Sequence, residues 1–416
     1  MIDGKFLLHR LEVLAQISER PGMLVRRFLT PEHGRANDLV AEWMREAGMA
    51  VRTDAIGNLI GRYEGDRPGL PALLVGSHLD TVVDAGRFDG MLGVVSAIAA
   101  VADLYERKIR LPFAVEIVGF ADEEGARFGA TLLGSRAMAG SFDLEVLDRP
   151  DDAGITMAEA MRRFGLDPAR IGEAARTPDS VLAYIELHIE QGPVLEAKGL
   201  PAGSVTAISG ASRFAVTVQG EAGHAGTVPM GSRRDALAAA AACILAVEEY
   251  CRLEDGLVGT VGRIEALPGA VNVVPGAAQF TLDIRAPEDD RRHRAVDAIL
   301  ARFQAIAASR GVGIVPQLTH EGSAAAAAPW LIRQIDEALE ANGIRPLHLP
   351  SGAGHDGMAM IGIADIAMLF IRCAGGISHN PAEAVTAEDA ETGARLLSYV
   401  IRNFSVEGSP GRSSPP

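Results

Sequence analysis

The apolar positions of the chain follow two rhythms. Residues 6–17 and 35–47 place apolar side chains three and four apart, which predicts two amphipathic helices. The second pattern closes at Gly48, a residue suited to a left-handed C-terminal cap. Residues 51–63 alternate and predict a pair of strands, whereas 71–76 and 113–120 are short continuous apolar runs of the kind buried strands carry. Between those runs, 90–107 is apolar almost throughout and rich in Ala and Val, which predicts a buried helix. Residues 141–180 are polar and mainly helical in pattern, with turns at Pro150 and Pro178, and 181–187 reads as another buried strand. Strands alternating with helices predict an α/β domain with a central mixed sheet and a site at its carboxyl edge.

From about Ser212 the rhythm changes. A strand at 214–219, a helix at 234–251, strands at 259–265 and 279–285, a helix at 289–309 and a strand at 313–317 follow in turn. That β-α-β-β-α-β order is a ferredoxin-like α+β module of about 110 residues. The first rhythm then resumes with a helix at 330–341, a strand at 367–371 and a helix at 387–403, the alanine run 324–328 marking the return. The expected organisation is a discontinuous α/β domain over 1–209 and 322–406, interrupted by an inserted domain over 210–321. The Ser/Pro/Gly-rich end, 407–416, is expected to be disordered.

Composition narrows the function classes. The chain has 416 residues, more than one hydrophobic core usually serves. A formal net charge of -15 argues against nucleic acid and against an anionic membrane surface as partner. The opening MIDGKFLLHRLEVLAQ has charges within every apolar run, so it reads as neither signal peptide nor membrane span, and a cytoplasmic location is expected. Cys243, Cys251 and Cys373 are scattered, form no disulfide framework, and read as small core residues.

Chemistry collects where the predicted strands end. The run 71–76 leads to His78 and Asp80, and a Gly-containing loop then brings Asp89 and Gly90. The run 113–120 leads into Asp122, Glu123 and Glu124; 181–187 ends at His188; and 367–371 precedes the loop that holds His379. Imidazoles mixed with carboxylates are metal-ligand chemistry. His78, Asp89, Glu124, His188 and His379 suit two divalent ions about 3.5–4 Å apart. Asp89 has two oxygens and is the natural bridge, with His78 and His188 on one ion and Glu124 and His379 on the other. Asp80 would orient the His78 ring. Zinc or manganese is expected, with cobalt or nickel as alternatives, because such mixed ligands accept several ions. Glu123, next to a ligand but free of metal, would act as general base, moving a proton from water to a leaving nitrogen.

The segments GSHLDTV, FDG, FADEEGARFG, ELHIEQGPVLE, AGHAGTVPM and GISHNPAE resemble the M20-type metallo-aminoacylases. More narrowly they are similar to the branch of N-carbamoyl-L-amino acid hydrolases, allantoate amidohydrolases and β-ureidopropionases. The resemblance runs from about residue 5 to residue 403 and implies the same two-metal ligand set and general-base glutamate. It also implies that the inserted domain is a lid or dimerisation domain. His224 resembles an oxyanion-stabilising histidine that arrives from the partner subunit of a homodimer. Asn272 and Arg285 match substrate-binding positions, Gln191 a position near the first metal, and Gly352-Ala353-Gly354-His355-Asp356 a substrate-lining loop. The branch more often has Thr at Val228 and Ala at Gly357, departures that bear on substrate fit.

The resulting expectation is hydrolysis of a ureido or carbamoyl C–N bond in a small anionic substrate. Allantoate leads, an N-carbamoyl-L-amino acid or a β-ureido acid is the alternative, and a plain peptidase or acylaminoacid hydrolase is more distant. A catalytically inactive binding protein on the same fold is the reading from another class; the presence of Glu123 and all five ligands speaks against it.

Overall fold

The structure, a computed structural model, describes residues 2–409. By packing, the chain divides into two units. The larger comprises the chain up to Thr206, Ala327–Leu349 and the chain from His355 onward; the smaller comprises Ala207–Ala326 and Pro350–Gly354.

The larger unit is built on a mixed sheet. Its strands lie in the order Ala50–Thr53, Leu59–Tyr63, Ala114–Phe120, Ala72–His78, Val181–Ile189, Ile366–Ile371 and Ala202–Ile208. The four from Ala114–Phe120 to Ile366–Ile371 are mutually parallel, and the flanking pairings are antiparallel. Every residue of those four strands is buried, which explains their continuous apolar runs: both faces are covered. The helix Met91–Glu106 packs on Ala72–His78, Val181–Ile189 and the helix Ala387–Asn403, and it is buried on nearly all sides. Burial of each Val, Leu or Ile there contributes about 1.5–3 kcal/mol relative to leaving it exposed.

Two helices begin earlier than their apolar spacing indicates. Asp3 caps Gly4–Ala15 by accepting from the amides of Lys5 and Phe6, and Thr30 caps Pro31–Glu46 by accepting from the His33 amide. Polar capping residues lie outside the apolar repeat, so the repeat misses the helix start. The polar excursion over 141–180 folds as the helix Met157–Phe164 and the short 3-10 turns Leu144–Asp148 and Pro168–Ala174. These pack Val146, Met157, Met161 and Ile171 into a side core with Phe28 and Phe128.

In the smaller unit an antiparallel sheet runs Ile264–Leu267, Ala277–Ala286, Gly210–Gln219, Gly313–Gly322. The helices Ala236–Arg252 and Asp289–Arg310 contact it, and their apolar residues form a core with Val216, Val218, Phe280, Leu282 and Ile284. This is the ferredoxin-like order, with one difference. The strand expected over 259–265 is two pieces, Val258–Thr260 and Ile264–Leu267, both paired with Ala277–Ala286. Between them Arg263 donates its amide to Thr281 Oγ1 at 3.1 Å, a side-chain bond in place of a ladder bond.

Ser409 donates its amide to Val406 O at 3.0 Å, closing a turn at the start of the tail. Residues 410–416 of that tail lie outside the described residues. Among the described residues no helix is long and apolar enough to cross a membrane.

Candidate metal centre

Parallel register decides which strand ends meet. His78 is paired with Phe120, so the acidic loop that follows Phe120 emerges beside His78. Phe370 is paired with His188, so the loop carrying His379 emerges beside His188. His188 lies inside the strand Val181–Ile189, not after it as the apolar run suggested. The His78 and His188 ring centroids stand 5.8 Å apart. Gly90, at φ 72°, turns the chain from Asp89 into the helix Met91–Glu106; a Cβ there would stand 2.5 Å from the His78 ring. Only glycine permits both the turn and that approach.

Asp89 is the hub. Its Oδ1 lies 3.0 Å from His188 Nε2 and 3.5 Å from His78 Nε2. Its Oδ2 lies 3.2 Å from His379 Nε2, which is 3.4 Å from Glu124 Oε1. Donor atoms of His78, Asp89 and His188 thus cluster on one side, and those of Asp89, Glu124 and His379 on the other. Main-chain carbonyls fix two of the rings: His78 Nδ1 faces Asp80 O at 3.0 Å, and His188 Nδ1 faces Ile189 O at 2.9 Å. A carbonyl accepts only, so each ring carries a proton on Nδ1 and aims Nε2 at the cluster, where a bound metal would take the place of the Nε2 proton. Gln191 donates through Nε2 to Asp89 Oδ2 at 3.0 Å. Gln191 and His379 are both non-glycine residues at positive φ, 56° and 53°. Such backbone is strained and gathers at ligand sites.

The donor chemistry fits divalent cations. Hydrogen bonds to Asp89 and then Glu124 raise His379 to about 10. Two carboxylates that retain a proton on an imidazole so firmly are arranged for positive charge, and a metal ion would displace that proton. Asp80, Asp122, Glu186 and Asp356 are further buried carboxyls; burial pushes those of Asp122, Glu186 and Asp356 above the usual carboxylate range.

Asp80 does more than orient a ring. Its carboxylate lies 3.5 Å from His78 Nδ1, and it accepts the amides of Glu123 at 3.0 Å and Glu124 at 3.2 Å. The Glu123 carboxyl is thereby set beside the cluster, in one donor group with His78 and Glu124. Burial pushes the Glu123 carboxyl well above the usual range; His78 opposes this, and the charges of Glu124, Asp356 and Asp80 reinforce it. A carboxyl raised in this way is suited to proton transfer.

Along the chain His355 stands out only as part of a substrate-lining loop, and Glu186 does not stand out at all. The His355 ring packs edge-on to His188 with centroids 4.5 Å apart. Glu186, fully buried, accepts from Ser77 Oγ and Tyr184 OH, each at 2.9 Å. The available signal was a glutamate two residues before a histidine in an otherwise apolar run, Val181 to Ile189. Both residues face one way on a strand, and the same buried face should hold both.

The remaining candidates lie in the smaller unit and are brought together in two places. His224 pairs with Val273 in a short ribbon, where Ala225 donates its amide to Asn272 O at 2.9 Å; this sets His224 beside Asn272. Arg285, on the strand Ala277–Ala286, donates from Nε and Nη2 to Asp283 at 3.0 and 2.9 Å, and from Nη1 to Gly352 O at 2.7 Å. Ala353 exchanges hydrogen bonds with Ser351 Oγ. A cavity of about 490 Å³ is lined by Arg285, Asp283, Arg213 and Gly352 among others.

Residues 74–403 match the profile of peptidase family M20/M25/M40. The chain is 44% identical over 402 residues to a Geobacillus stearothermophilus protein named N-carbamoyl-L-amino acid amidohydrolase, covering 96% of this chain and 98% of the relative. It is 38% identical over 424 residues to an Arabidopsis thaliana allantoate deiminase, covering 94% and 81% respectively. Among solved structures, a hydantoinase/carbamoylase-family amidase from Burkholderia multivorans superposes with a TM-score of 0.90 at 34% identity, over 96% of this chain and 97% of that one.

Proposed function

This chain belongs to peptidase family M20/M25/M40, and from that premise we propose that it is a metal-dependent amidohydrolase that cleaves a ureido C–N bond in a small carboxylate substrate. The carrying observation is the arrangement around Asp89: a two-sided set of imidazole and carboxylate donors, with the free carboxyl of Glu123 alongside. His78, Asp89 and His188 would hold one divalent ion, and Asp89, Glu124 and His379 a second, zinc or manganese being preferred. Bound there, such ions supply a Lewis acid and a nucleophile at neutral pH.

The protein groups do the rest. Glu123 takes a proton from the attacking water and delivers it to the leaving nitrogen as the C–N bond breaks. A ureido group then yields an amine, carbon dioxide and ammonia. Arg285, its fork held by Asp283, grips the substrate carboxylate. His224, contributed by the partner subunit of a homodimer, donates to the carbonyl oxygen as it gains negative charge. Asn272, Gln191 and the main chain at Gly352 and Ala353 complete the substrate contacts, and the inserted domain acts as lid and dimerisation unit.

Allantoate and N-carbamoyl-L-amino acids both present a ureido group and a carboxylate, and relatives named for each activity match almost the full chain. The test is ammonia release from manganese- or zinc-loaded protein offered both substrate types, with a chelated control. Chelator-sensitive turnover of either supports the reading, and the preferred one identifies the substrate. Silence on every ureido compound with metal bound overturns it and favours a binding protein.

A further inference from the structure

Glu383 is not a candidate ligand, and its side chain is almost fully enclosed at 2% exposure. Its Oε1 accepts from two consecutive amides, Phe88 at 2.8 Å and Asp89 at 3.1 Å. Its Oε2 accepts from Ser378 Oγ at 3.0 Å, and the same hydroxyl lies 3.0 Å from Asp89 Oδ2. Glu383 therefore reaches Asp89 twice, directly at the main chain and through Ser378 at the side chain. The approach needs Gly86, where a Cβ would stand 2.3 Å from the Glu383 carboxyl.

The two amides explain why an acceptor is needed there. They precede the helix Met91–Glu106 and its Gly90 cap, so the helix's own ladder does not accept them. Buried amides at a helix start must find an acceptor elsewhere. Glu383 supplies it from the far end of the chain, on the loop that also presents Ser378 and His379. The loop of the bridging carboxylate and the loop of the last histidine are thereby tied by one side chain.

We propose that Glu383 is a positioning residue for the metal centre, holding Asp89 in register with His379 so that both donor groups stay assembled. This rests on the reading of Asp89 as the bridging ligand. Ser378 has one proton for two carboxylates, so the clamp does not require both to be charged. A glutamine at 383 would still accept the two amides through its carbonyl and would donate to Ser378 Oγ.

The test is the affinity of the full-length apoprotein for Mn2+ and Zn2+, measured by chelator competition, for wild type, Glu383→Ala, Glu383→Gln and Ser378→Ala. Glu383→Ala is expected to bind about 10–100-fold more weakly. Glu383→Gln should recover most of that loss, to within about 5-fold of wild type, because it keeps the acceptor. Ser378→Ala should fall between them. Wild-type affinity in a folded Glu383→Ala protein overturns the proposal, as does a Glu383→Gln protein no better than Glu383→Ala. If Glu383→Ala fails to fold, the comparison of Glu383→Gln with Ser378→Ala decides: wild-type affinity in Ser378→Ala, or a glutamine variant weaker than it, overturns the clamp. A wild-type protein that binds neither ion overturns the metal reading itself, whereas normal wild-type binding with no effect at 383 overturns this inference alone.

Discussion

Asp80 accepts the main-chain amide of Glu123 at 3.0 Å while its own carbonyl faces His78 Nδ1 at 3.0 Å. One buried residue thus sets both an imidazole of the donor cluster and the proposed base. Replacing Glu123 by Gln keeps the loop and removes only the proton carrier. Turnover should fall by about 10²–10⁴-fold with metal content unchanged, read by ammonia release and elemental analysis of the same sample. Asp80→Ala should instead lower both activity and metal affinity, by about 10–100-fold.

His224 stands on the smaller unit and is proposed to serve the partner's site, which predicts complementation. Glu123→Ala and His224→Ala proteins are each expected to be nearly inactive. Dissociated, mixed and reassociated, they form heterodimers in which one of the two sites is intact. Activity should return to roughly a quarter of wild type at random pairing. No recovery, despite subunit exchange shown by native mass spectrometry, would place His224 in its own chain's site or outside the reaction.

Arg285 makes a bidentate contact with Asp283 and donates from Nη1 to Gly352 O, so the hydrogens left on Nη1 and Nη2 are those proposed to meet a substrate carboxylate. Lysine cannot reproduce that planar fork. Arg285→Lys should raise KM by about 10–100-fold, the loss expected for charge-assisted hydrogen bonds of about 1.5–3 kcal/mol, with little change in kcat. Equal losses on a ureido amide that lacks the carboxylate would show that Arg285 does not read the acid group.

His33 is fully buried, stacked on Phe164, and burial lowers it to about 4 from an ordinary 6.5; Asp80 raises it and Arg26 lowers it further. A group depressed in the folded state contributes stability above its unfolded value and loses it as pH falls. The stability tied to His33 is therefore complete above pH 6.5 and disappears between about 6.5 and 4, on the order of 3 kcal/mol. In urea titrations His33→Gln should show a shallower decline over that window than wild type. Parallel pH curves for the two proteins would refute it.

Much of the candidate site could be read along the chain because each proposed ligand is of a telling type and most sit near the end of an apolar run. His78 closes such a run, and the acidic trio at 122–124 follows another directly. The helix caps, Glu186, His355 and Glu383 were less visible. A capping Asp or Thr looks like any loop residue until its amide partners are placed. Glu383 gains its meaning only from Phe88 and Asp89, which are distant in sequence.

The sequence by itself determined the element types, the α/β class with its ferredoxin-like insertion, and the chemical identity of the donors, because burial and ligand character are properties of local residue patterns. The tertiary structure decided the pairing. Parallel register set Phe120 beside His78 and Phe370 beside His188, and the Gly90 turn brought Asp89 between the rings. Those approaches depend on which strands are neighbours and on backbone turns measured in ångströms, and a one-dimensional pattern of apolar and polar positions does not encode such distances.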